Sequence, residues 1–109
     1  MDELLKAIFP LVNEEVARAR SNYSEYRLTH EAWALLKEEI EETADELEVV
    51  KHWHAEAWEL IKDNGDLNSI KSCILELQDA AMKCSAESIQ AAAVSQRFLD
   101  FIEREARNE

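Results

Sequence analysis

Between Thr29 and Ile61, apolar residues recur three and four positions apart: Trp33, Leu36, Ile40, Leu47, Val50, Trp58 and Ile61, with Thr43 in the same row. This is the period of an amphipathic α-helix. Trp53 or His54 carries the row from Val50 to Trp58. Thr29 reads as the N-cap and Glu31 as the acidic residue of the first turn. The row stops at Asp63-Asn64-Gly65-Asp66, where Gly65 suits the left-handed position that ends many helices. The spacing therefore predicts a helix over 29–63, roughly 50 Å long, with a kink near Val49 to Lys51 left open. A second row follows: Ile70, Cys73, Ile74, Leu77, Ala81, Cys84, Ala91, Ala92, Phe98 and Ile102. Capped by Asn68 or Ser69, it predicts a helix over 68–105. Nearer the N-terminus, Val12, Val16, Ala19 and Tyr23 mark a shorter stripe. Proline is tolerated in the first turn of a helix, so a short turn to Phe9 and a helix over 10–22 from Pro10 are expected. Ser21 to Leu28 reads as a polar connection anchored by Tyr23 and Tyr26.

Two long helices joined by a tight turn pack antiparallel, so residue i on one lies opposite roughly residue 131 minus i on the other. The expected fold is all-α: one domain over 1–109, a long antiparallel helix hairpin plus a shorter N-terminal helix. Val49, Val50, Trp53, Trp58, Leu60 and Ile61 exceed what one apolar stripe needs. The economical answer is a four-helix-type bundle formed by dimerisation, as a homodimer or a dimer of dimers. One glycine and one proline in 109 residues fit this picture, because a chain so poor in both has few tight turns.

Charge narrows the partners. The formal net charge of −12 argues against nucleic acid and against an anionic membrane, since both would be repelled. A phosphorylated small molecule stays open, because divalent cations held by carboxylates reverse the local sign. Cys73 and Cys84 fall on one predicted helix, about 16 Å apart along its axis and too far for a disulfide with each other. Reduced, buried thiols are expected. The start Met1-Asp2-Glu3 is acidic where a secretory leader is basic, and no apolar run approaches a membrane span. These features lead to a cytoplasmic expectation.

The candidate chemistry lies in Lys37-Glu38-Glu39-Ile40-Glu41-Glu42-Thr43-Ala44-Asp45-Glu46. Glu39, Glu42 and Glu46 share one helical face, as do Glu38, Glu41 and Asp45. Like charges so spaced cost helix stability, and a hard divalent cation such as Mg²⁺ or Mn²⁺ offsets that cost. In a chain with eighteen glutamates this spacing says little by itself. The hairpin register adds to it, placing Glu39 opposite position 92 and Glu42 opposite position 89, where Glu87 and Gln90 are the nearest polar residues. A competing set, Glu76 and Asp79 with His52 and His54, would suit a transition metal.

His30-Glu31-Ala32-Trp33-Ala34-Leu35-Leu36-Lys37-Glu38-Glu39-Ile40-Glu41-Glu42 resembles the opening motif of small phage and bacterial MazG-like proteins, which reads HEAYAvlxEExxE. Ala86-Glu87-Ser88-Ile89-Gln90-Ala91-Ala92-Ala93 resembles their second motif, which reads like EAIQVAAMA. The resemblance spans roughly 28 to 102, and the two motifs together are fairly specific. MazG-like proteins belong to the all-α nucleotide pyrophosphohydrolase superfamily. The resemblance implies cleavage of a nucleoside triphosphate to monophosphate and pyrophosphate in a dimeric or tetrameric bundle. It implies Mg²⁺ (Mn²⁺ as the substitute) on an E-x-x-E pair, Glu39 and Glu42, which carry the catalysis, and on an E-x-x-D pair that begins at Glu87. Gln90 stands where the catalytic families place Asp. A neutral glutamine is a poorer Mg²⁺ ligand, so weak or absent hydrolysis is expected. The alternative is a non-catalytic dimeric helical module of phage or mobile-element origin that binds a protein partner.

Overall fold

The computed structural model describes residues 2–108, and they form three α-helices joined by two short connections. Helix α1 spans Asp2–Asn22, α2 spans Thr29–Lys62 and α3 spans Leu67–Arg107, of 21, 34 and 41 residues. The described residues contain no strand. None of the helices is long and apolar enough to cross a membrane. The all-α expectation holds, and the predicted bounds of the two long helices are met to within two residues.

The first helix departs from expectation. It starts at Asp2, and Pro10 lies inside it. Proline removes one ladder hydrogen bond, the one from position 10 to the Lys6 carbonyl, and leaves the rest of the ladder intact. The acidic start at Asp2 and Glu3 complements the helix dipole, and Lys6 pairs with Glu3 at 3.5 Å. These exposed contacts and the helix-forming residues around them carry the helix through the proline.

The turn between α2 and α3 is built differently from the glycine reading. Asn64, not Gly65, takes the left-handed backbone, at φ 55°. The Gly65 N–H donates to the Leu60 carbonyl at 2.7 Å and the Asn64 N–H to the Ile61 carbonyl at 3.2 Å. This pair of bonds is a Schellman C-cap with Asn64 at its left-handed position. Glycine at 65 eases a tight approach: a Cβ there would meet the Leu60 carbonyl oxygen at 3.0 Å. Asp66 then caps α3. Its Oδ1 accepts from the Ser69 backbone N–H at 2.8 Å and its Oδ2 from the Ser69 hydroxyl at 3.1 Å. These bonds hold the Asp66 carboxyl below its ordinary pKa, the backbone bond most strongly. Asn68 and Ser69, expected as caps, lie inside the helix. Thr29 likewise is the first residue within α2, and the Leu28 carbonyl accepts from the Ala32 N–H at 3.3 Å.

The chain packs as two compact units, one formed by residues up to Ile40 with those from Glu87 onward, the other by Glu41–Ala86. In the first, Tyr26, Ala32 and Phe101 form a buried cluster with Leu35 and Phe98 against it. Tyr26 and Phe101 meet edge to face, 6.4 Å between ring centres. Two arginines of α3 hold the connection before α2: Arg97 Nη2 donates to the Ser24 carbonyl at 3.2 Å and Arg104 Nη2 to the Tyr26 carbonyl at 3.0 Å. Tyr26 is thus the anchor of this segment, while Tyr23 is exposed. In the second unit, Ala57, Cys73 and Ala80 are buried, and the half-buried Cys84 thiol donates to the Thr43 carbonyl at 3.6 Å. Both cysteines are free.

The inward row of α2 is rotated from the predicted one. Ala32, Leu36, Glu39, Thr43, Glu46, Val50, Trp53, Ala57 and Leu60 are buried or half-buried, whereas Trp33, Ile40, Leu47, Trp58 and Ile61 are exposed. Small residues are the most buried along this row, with Ala32 and Ala57 among the core. Leu36, Thr43, Val50 and Trp53 are shared with the predicted row, and its exposed members lie on the neighbouring stripe.

Candidate functional site

The rotation of α2 decides where the carboxylates go. Glu39 lies on the inward row and is half-buried, and so is Glu87 on α3. Both belong to the first compact unit, and their carboxylate oxygens approach within 4.8 Å. Glu42 is exposed and follows Glu39 by three residues, one turn along the same helix. The expected hairpin register puts Glu39 opposite position 92, with Glu87 as the nearest acidic residue; the Glu39 carboxylate lies with that of Glu87.

Carboxylate oxygens are the ligands that a hard cation such as Mg²⁺ takes, and Glu39 and Glu87 could each supply one. Gln90 is half-buried on α3, and its amide Nε2 donates to Glu15 Oε2 at 2.8 Å. Glu15, on α1, also pairs with Arg18. The sequence reading did not foresee Glu15, because its stripe of α1 was drawn through apolar residues only.

The alternative cluster is not assembled. No three ligand atoms from His52, His54, Glu76 and Asp79 gather within 4.8 Å, and Asp79 pairs with Lys83 at 3.1 Å, which raises the lysine pKa. His52 packs instead against Trp53, with ring centres 4.9 Å apart.

A cleft of about 670 Å³ opens beside the Glu39 side of the first unit. Tyr26, Glu31, Glu38, Glu39, Gln90 and Arg97 supply its polar lining, with Ala34, Leu35 and Val94 among the apolar part. Arg97 is 3% exposed, and its guanidinium lies 4.5 Å from the centre of the Tyr26 ring. Burial raises the Tyr26 phenol above its ordinary pKa, with Arg97 opposing the shift, so the group stays protonated through neutral pH. The predicted row of α3 runs through Phe98 and Ile102, one position from Arg97 and Phe101, so the sequence carries no signal for Arg97. No family model, curated protein or solved structure matches this chain.

Proposed function

We propose that this chain is a Mg²⁺-dependent nucleoside triphosphate pyrophosphohydrolase-like protein of MazG type, with weak activity. The observation that carries this reading is the approach of the Glu39 and Glu87 carboxylates within 4.8 Å at half-buried positions on different helices. The two motif resemblances support it, since these glutamates are the ones the motifs single out. Glu39, Glu42 and Glu87 would hold the ion, with Gln90 beside them. When bound, the metal offsets phosphate charge and lowers the pKa of a coordinated water. In this reading exposed Glu42, one turn from Glu39, would accept a proton from an attacking water at a carboxylate oxygen. Gln90 brings no charge where a carboxylate is expected, and its Nε2 is engaged by Glu15. Both features weaken the metal shell.

In this reading α2 and α3 form an antiparallel hairpin, and copies associate as a homodimer or a dimer of dimers in the cytoplasm. Trp33, Ile40, Leu47 and Ile61 are exposed on α2 at intervals of seven or fourteen residues, the spacing of a helix-pairing seam. The same seam supports the second reading, a non-catalytic helical module of phage or mobile-element origin that docks a protein partner.

The test is thermal stability with and without Mg²⁺, together with pyrophosphate release from nucleoside triphosphates. A real site raises Tm by mass action. Glu39→Gln should abolish both the Mg²⁺-dependent rise and any pyrophosphate release, and Gln90→Asp should increase both. An unchanged Mg²⁺ response in Glu39→Gln would show that the site is misplaced.

A further inference from the structure

Arg97 is the one buried charged residue of the described core. A guanidinium out of water is costly unless anions or acceptors surround it. Here it has the Ser24 carbonyl at 3.2 Å and the face of Tyr26. Its Nε–H is buried without a hydrogen-bond partner, and so is the Tyr26 hydroxyl. Buried polar atoms without partners are rare in folded proteins. These two belong to residues that line the same cleft.

We propose that Arg97 and Tyr26 form an anion subsite that takes a phosphate group. A protonated phenol and a guanidinium Nε–H are both donors, and an oxyanion accepts from both. Glu31, Glu38 and Glu39 line the cleft as well, so the pocket carries a buried cation together with carboxylates. A ligand that offers an anionic oxygen to Arg97 and meets a cation at Glu39 satisfies both. The proposal extends the nucleotide reading above and rests on it only for the identity of the molecule that bears the phosphate.

The experiment titrates the full chain with sodium phosphate in EDTA, against sodium chloride of equal ionic strength and against sodium acetate. Melting temperature and the ³¹P line width of phosphate are the readouts. Wild type should show a saturable rise in Tm and a broadened ³¹P line with phosphate alone. Arg97→Lys keeps the charge and lacks the Nε donor, and should bind about tenfold more weakly. Tyr26→Phe removes only the hydroxyl and should weaken binding several-fold. A merely structural role for Arg97 would lower Tm equally with and without phosphate. No saturable effect in wild type overturns the subsite, as does an unchanged phosphate affinity in both variants. Saturation by acetate but not phosphate overturns the assignment to phosphate. If an Arg97 variant fails to fold, Tyr26→Phe and the wild-type ³¹P titration still decide. Glu39→Gln should retain phosphate binding in EDTA. A Mg²⁺ response that persists in Glu39→Gln, or that wild type lacks, with intact phosphate binding would therefore sink the metal reading alone.

Discussion

At the scale of single residues, the α2–α3 turn separates what composition reveals from what backbone geometry decides. The tetrad Asp63-Asn64-Gly65-Asp66 marks the end of a helix by its residue types alone. Which residue takes the left-handed backbone is not written there, because asparagine and glycine both tolerate it. The structure gives it to Asn64 and uses glycine where the Leu60 carbonyl oxygen would crowd a Cβ. Asn64→Ala should therefore cost about 1–2 kcal/mol and Asn64→Gly little, as read by urea denaturation. Gly65→Ala should also destabilise, through the 3.0 Å approach to the Leu60 oxygen. Equal tolerance of alanine at both positions would refute this account. Asp66 adds a pH dependence. Its folded pKa is lowered, so its contribution is complete above the ordinary carboxylate range and fades as pH falls through that range to the folded value. Asp66→Ala should lower Tm by a few degrees at pH 7, and that difference should shrink towards zero in acid.

At the scale of elements, the number of helices and the ends of the two long ones are legible because the 3.6-residue period runs almost unbroken, whereas the start of α1 is not, because Pro10 reads as a first-turn residue. Nor is the inward face of α2. Large apolar residues suggest a row through Trp33, Leu36, Ile40, Thr43 and Leu47; burial keeps Leu36 and Thr43 and exchanges Trp33, Ile40 and Leu47 for Ala32, Glu39 and Glu46. Alanine lets backbones approach closely, and a period-based reading that weighs hydrophobicity alone places glutamate outside. The same exchange puts Glu39 on the inward row. The E-x-x-E spacing and Glu87 were visible in the sequence; the Glu15–Gln90 bond and buried Arg97 depend on packing that spacing does not encode. Helix α1 carries a separate expectation. Pro10 lies inside it at the expense of one ladder bond to Lys6. Pro10→Ala restores that donor and removes a ring clash, an interior effect of roughly 3 kcal/mol at most. It should raise Tm and slow amide exchange across residues 2–9. Faster exchange there would mean that the proline stabilises this helix rather than interrupting it.

At the scale of the whole molecule, exposed apolar area and net charge oppose each other. Leu4, Phe9, Trp33, Ile40, Trp58 and Met82 are each more than half exposed, an amount of apolar surface that favours association. Each copy also carries a formal charge of −12, so bringing two together concentrates like charge and disfavours contact. Salt acts on only one side of this balance. At 0.1 M the Debye length is about 10 Å, short enough to screen most surface repulsion, while apolar burial is barely weakened. The proposed homodimer should therefore tighten as ionic strength rises, opposite to an assembly held by ion pairs. Light scattering at micromolar protein should give a larger dimer fraction at 0.3 M than at 0.02 M sodium chloride. Ile40→Lys with Leu47→Lys, placed on the exposed seam and outside the buried row, should return the mass to that of a monomer without loss of helix content. A monomer mass at every salt concentration would remove the homodimer, and the exposed seam would then be left to a different protein partner.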